Sequence, residues 1–132
     1  MAVLQSLIAI GLGATLGAWA RWALALWLNP INQNLRYGTL AANLVGGYVI
    51  GLAIAWFSSH ADLPPVWRVF VITGLLGGLT TFSTFSAEVL ELLNRQQFGW
   101  GLAAIALHVV GSIAMTALGI LTVRGLAAAY SG

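Results

Sequence analysis

Cysteine and lysine are both absent from the 132-residue chain, and only three acidic side chains occur. Without cysteine there is neither a disulfide nor a thiolate metal site, and the redox compartment is not encoded. Charged residues make up 6% of the chain, against about 25% in an ordinary soluble domain, which is too few to cover a water-facing surface. The whole inventory is Arg21, Arg36, Arg68, Arg95 and Arg124 against Asp62, Glu88 and Glu91. A net charge of +2 spread this thinly forms no basic patch, so no nucleic-acid partner is expected. What is abundant is apolar: 60% of residues, with a mean hydropathy of +0.93. The solvent of this chain is lipid.

A membrane-crossing helix needs about 20 mostly apolar residues. The charges and prolines cut the chain into four such pieces, predicting helices over about 3–28, 37–59, 66–95 and 98–124. They form one four-helix transmembrane domain over residues 1–132. Ala18-Trp19-Ala20 looks like a secretory cleavage site, but no basic segment precedes it, so the first stretch is read as a span. Orientation is normally set by an excess of basic residues on the cytoplasmic side. Here Arg68 and Arg124 share one side, and Arg36 and Arg95 the other, with Arg21 near the end of the first helix. That balance gives little bias and is compatible with insertion in both orientations.

Glycines four apart (Gly13 and Gly17, Gly47 and Gly51, Gly74 and Gly78) mark faces where helix backbones approach closely. The six tryptophans read as interfacial anchors. The third span differs from the others. From Thr73 it runs Thr-Gly-Leu-Leu-Gly-Gly-Leu-Thr-Thr-Phe-Ser-Thr-Phe-Ser, with glycine and hydroxyl residues where a lipid-facing helix would carry Leu and Val. Adjacent Gly77 and Gly78 predict a break near mid-membrane, between Gly77 and Thr80, tolerated only where it is buried or lines a cavity. Such a break frees carbonyls that suit a cation and N–H groups that suit an anion. An unbroken helix with a small-residue packing face is the alternative. Asn43 is the one strongly polar residue deep in the second span, which points to a pore group or an interhelical hydrogen bond. His108, Ser112 and Thr116 fall on one face of the fourth span. A Ser–His pair without an orienting carboxylate or an oxyanion hole does not make a hydrolase, so no enzyme is expected.

The residues Gly17-Ala18-x-x-Arg21, Gly38-Thr39-Leu40, Asn43-Leu44-Val45-Gly46, Gly77 to Ser86 with Glu88, and Gly111-Ser112 closely resemble the Fluc (CrcB) family of fluoride channels. The likeness covers essentially the whole chain. It implies an antiparallel, dual-topology homodimer in a bacterial inner membrane, with two anion pores that export fluoride passively and protect the cell. It also implies a structural sodium ion at the dimer centre, held by the main-chain carbonyls of Gly77 and Thr80. By the same resemblance Phe82 and Phe85 line the pore and Asn43 is its amide donor. Ser83, Thr84, Ser112 and Thr116 form a polar track, and Arg21 and Glu88 organise the vestibules. The chemistry agrees with this. Fluoride is strongly hydrated, so amide and hydroxyl donors must replace its water, and aromatic edges carry positive partial charge. No arginine is expected at mid-membrane, where a full positive charge would trap the ion.

Two other readings are a dual-topology proton-coupled exporter of small cations and a non-transporting assembly subunit. The exporter needs a titratable carboxylate in the membrane, and Glu88 and Glu91 lie towards an interface. The assembly subunit leaves Asn43 and the hydroxyl-rich string unexplained.

Overall fold

The computed structural model describes residues 1–132. It is all-helical, with four spans long and apolar enough to cross a membrane and no strand. The first span is α1 (Ala2–Leu28), closed by a short 3-10 turn at Asn29–Ile31, and the second is α2 (Tyr37–Ser59). The third is composite: α3 (Pro65–Arg68), a π-helical stretch Val69–Leu76, α4 (Gly77–Leu79) and α5 (Phe82–Asn94). The fourth span is α6 (Phe98–Ser131). It runs on past Arg124 because Leu126 to Ala129 are good helix formers, and a single charge at the membrane surface is no reason for a helix to end.

Sequence chemistry sets the connections. Asn29 ends α1, and its Oδ1 accepts from the N–H groups of Gly38 and Thr39 at 2.8 and 3.3 Å. One side chain thus closes the first hairpin and caps the start of α2. Asn32 Oδ1 accepts from the N–H groups of Asn34 and Leu35, a local turn that holds the loop between them.

The glycine pairs bring the spans together in two parallel couples. Gly13 faces Gly74 and Gly17 faces Gly78, so α1 lies against the first half of the third span with main chain on main chain. A Cβ on Gly13 would meet the Phe70 carbonyl at 2.6 Å and the Leu75 nitrogen at 2.7 Å. Gly51 and Gly119 do the same for α2 and α6. Between lipid-exposed helices this close approach supplies the packing that hydrophobic burial cannot.

The break in the third span differs in position and cause from the expectation. Gly77 is helical (φ −62°, ψ −38°), whereas Thr80 (φ −86°, ψ 155°) and Thr81 (φ −151°, ψ 123°) are extended. The β-branched threonines accept extended geometry readily. Gly78 serves contact with α1, since a Cβ there would sit 2.9 Å from the Ala14 Cα.

Candidate functional site at the break in the third span

Extending Thr80 and Thr81 breaks the main-chain ladder, and the accounting of its hydrogen bonds defines the site. Thr80 still donates both its N–H and its hydroxyl to the Leu76 carbonyl, at 3.0 and 2.8 Å. Thr81 N–H turns away to Asn43 Oδ1 at 2.8 Å, and Asn43 Nδ2 donates to the Thr81 carbonyl at 3.0 Å. The amide of α2 thus replaces a missing turn of helix. Gly46, one turn along α2, leaves room for the Thr80 methyl group, which a Cβ on Gly46 would strike. Thr81 caps α5, its hydroxyl accepting from Thr84 N–H at 3.1 Å.

The carbonyls of Gly77 and Thr80 lose their ordinary helical donors, because Thr81 N–H goes to Asn43 and Thr84 N–H to the Thr81 hydroxyl, and Phe82 and Ser83 stand in the first turn of α5, where N–H groups lack helical partners. The carbonyls end one half-helix and the N–H groups begin the other. Opposite partial charges therefore lie on the two sides of the extended pair.

A groove of about 420 Å³ runs alongside, lined among others by Asn43, Gly77, Thr80, Phe82, Phe85 and Ser112. Phe82 and Phe85 meet edge to face with centroids 5.5 Å apart. Phe82 is 77% exposed and Phe85 only 6%. Ser112 Oγ has no hydrogen-bond partner in the chain and is free to donate. Ser83, Thr84 and Thr116 do not line this groove. Ser83 Oγ lies 3.4 Å from Thr81 Oγ1, and Thr116 donates its hydroxyl to the Ser112 carbonyl at 3.0 Å.

The two residues expected in vestibules are engaged elsewhere. Arg21 donates its Nε–H to the Gly78 carbonyl at 3.1 Å, which places a guanidinium at the C-terminal end of α4. The expectation of no arginine near the break is therefore overturned. Its positive charge sits where the half-helix dipole is negative, on the α1 side and outside the groove lining. Glu88 accepts from the hydroxyl of Thr39, itself 3% exposed, at 2.6 Å and lies 4.0 Å from Arg36 Nε. Arg36 and Arg95 both reach Glu91, at 3.2 and 2.5 Å, and tie the start of α2 to the end of α5.

The sequence marks His108 only as one member of a polar stripe, yet it joins the site directly. It is 6% exposed, its Nδ1 lies 2.9 Å from Asn43 Nδ2, and its ring stacks on Phe85 at 4.5 Å. A histidine in mid-span was the available signal; its register against Asn43 needed the structure.

Comparison with known proteins shows the family of the chain. The family model described as "CrcB-like protein, Camphor Resistance (CrcB)" matches residues 8–120. The protein named fluoride-specific ion channel FluC of Pseudomonas putida is 58% identical over 120 residues, 91% of this chain and 94% of that protein. Those of the same name from Nitrosospira multiformis and Cupriavidus taiwanensis are 57% and 55% identical, covering 94% and 91% of this chain and 97% and 95% of their own lengths. With the family model spanning most of its length and relatives this similar end to end, this multi-pass membrane chain belongs to the CrcB family.

Proposed function

We propose that this chain is a fluoride-selective channel that lets fluoride leave the cell passively and so lowers its toxicity. The relatives' names point the same way. The observation that carries the reading is the groove wall, which combines an aromatic edge-to-face pair and a free Ser112 hydroxyl beside the half-helix start at Phe82. Each of these offers positive partial charge to an anion, and none is a full cation that would hold it. Asn43 has both hydrogens engaged, so fluoride at that level competes with His108 for one of them. Ser83, Thr84 and Thr116 extend the track beyond the groove. The cation-exporter alternative has no support: Glu88 is held by Thr39 and Arg36, and the relatives are named as fluoride channels.

The working unit is an antiparallel, dual-topology homodimer in a bacterial inner membrane. The balanced arginines and the open groove with exposed Phe82 support this. A structural sodium ion fits the donor set at the break. The Gly77 and Thr80 carbonyls, which lack their helical donors, are hard neutral oxygens of the kind such a cation takes, and when bound it would neutralise their dipoles.

The test uses purified protein in potassium-fluoride-loaded liposomes, read by a fluoride electrode after a potassium ionophore is added. Fluoride efflux without chloride efflux is expected. Equal passage of both, or of neither, refutes the proposal.

A further inference from the structure

The contacts of Asn43 determine the protonation state of a neighbouring ring. Thr81 N–H can only donate, so the Asn43 atom 2.8 Å away is its oxygen; the Thr81 carbonyl can only accept, so the atom 3.0 Å away is its nitrogen. With the amide fixed at both ends, the second Nδ2 hydrogen faces His108 Nδ1 at 2.9 Å. That nitrogen must carry a lone pair, which makes His108 a neutral ring protonated at Nε2. The ring also stacks on Phe85, with 28° between the planes. A single chain of contacts therefore joins the break to α2, α6 and the buried aromatic of the groove.

We propose that His108 is a positioning residue for the anion path: by accepting from Asn43 at Nδ1 it locks the amide onto Thr81 and sets the Phe85 ring. A proton added at Nδ1 would set donor against donor across 2.9 Å. The amide could then relieve the clash only by turning over, which would put its NH₂ against Thr81 N–H and its oxygen against the Thr81 carbonyl. Acid therefore unlocks the break. No charged group touches the ring. On the third span the nearest ionisable group is Glu88, one turn past Phe85 and held by Thr39 and Arg36. On α2, Tyr48 is hydrogen-bonded to Thr122, and α6 has no other titratable side chain within a turn of His108.

The flux part of the test rests on the fluoride-channel reading, whereas the spectroscopic part does not. In lipid, nitrogen NMR of the His60→Gln chain, where His108 is the one histidine, is expected to show a bare Nδ1 and a protonated Nε2 at neutral pH. Protonated Nδ1, or a mixture of tautomers, overturns the proposal whether or not the protein conducts. In liposomes, His108→Ala is expected to lower fluoride flux about tenfold, the worth of one good hydrogen bond. His108→Asn, whose Oδ1 takes the place of Nδ1, restores most of the flux. Wild-type flux, corrected for leak in protein-free liposomes, falls in mild acid while that of His108→Asn stays level. An Asn variant as impaired as the Ala variant, or as acid-sensitive as the wild type, also overturns the proposal. If the wild type passes no fluoride, the channel reading fails and the spectrum still decides the role of His108.

Discussion

Gly17→Ala and Gly11→Ala add the same methyl group to the same helix six residues apart, and the structure assigns them opposite outcomes. At Gly11 an added Cβ has nothing within 4 Å. Alanine there gains helix propensity of about 0.5–1 kcal/mol, so the variant is expected to match or slightly exceed the parent in stability. At Gly17 the Cβ would strike the Leu75 carbonyl, and it would lie 2.7 Å from the Leu79 nitrogen and 3.0 Å from the Gly78 carbonyl carbon. All three are main-chain atoms, which no rotamer change can move aside.

The two spans must therefore separate, at an overpacking cost of about 1–3 kcal/mol. Separation also stretches the bond from Arg21 to the Gly78 carbonyl, one turn further on and already 3.1 Å long. Losing a hydrogen bond from a charged donor costs about 1.5–3 kcal/mol more. Gly17→Ala is thus expected to destabilise by roughly 3–5 kcal/mol, the two contributions overlapping in part. Thermal unfolding in mild detergent, followed by size-exclusion monodispersity, reads the difference. Equal melting of the two variants would refute the close-approach argument, and an unstable Gly11→Ala would show that α1 is packed on a different face.

Phe82→Ile and Phe85→Ile each remove a ring edge and are both expected to cut fluoride flux strongly. The exposed Phe82 should do so with little loss of stability, whereas Phe85 also loses its stacking on His108; unaltered flux in both would remove the rings from the path. Thr39→Val is expected to destabilise by about 1.5–3 kcal/mol, because Glu88 loses a 2.6 Å hydrogen bond in a half-buried position; an unchanged melting temperature would show that Glu88 finds another donor. Replacing all sodium with a bulky organic cation during purification should lower flux and dimer stability, and no change after verified removal would reject the structural-cation proposal. Tags on the C-terminus should be reachable from both sides of the membrane in cells, and a single-sided result would end the dual-topology proposal.

Four spans were legible because charge is so scarce that Arg36, Asp62 with Pro64-Pro65, and Arg95 stand out between long apolar stretches. The packing faces were legible because glycine at a four-residue spacing has few other uses in a lipid-facing helix. The position of the break was not. Glycine propensity suggested Gly77 and Gly78, yet close approach to Ala14 and Gly17 keeps Gly78 helical, and tertiary contact outweighs propensity. The extended residues are Thr80 and Thr81, stabilised by an amide 38 residues away that no local pattern reveals. Arg21 was misplaced for a similar reason. Its position near a helix end suggested an interface, whereas its side chain reaches to the carbonyl end of α4, a feature that exists only once the third span is broken.

The same break bears on what the proposed dimer would do for this chain in lipid. An unpaired main-chain group in hydrocarbon costs several kcal/mol. Asn43 relieves both polar groups of Thr81 and Arg21 relieves Gly78, but the Gly77 and Thr80 carbonyls and the first-turn N–H groups of α5 lack their helical partners. Water can serve both sets, donating to carbonyls and accepting from N–H groups, whereas a cation suits only the carbonyls and an anion only the N–H groups. The proposed sodium ion and fluoride would divide these groups by the sign of their dipoles, and the groove is open along its exposed aromatic rim. A second copy laid over that rim would exclude lipid from the break while leaving the ion route wet. On this argument the proposed dimer, cation and anion path are three answers to one unpaired stretch of backbone. Restoring helix there should weaken all three together: a chain carrying Thr80→Ala and Thr81→Ala is expected to lose fluoride flux, sodium dependence and dimerisation in a single step. Loss of flux with the dimer and its sodium dependence intact would show that the three have separate origins.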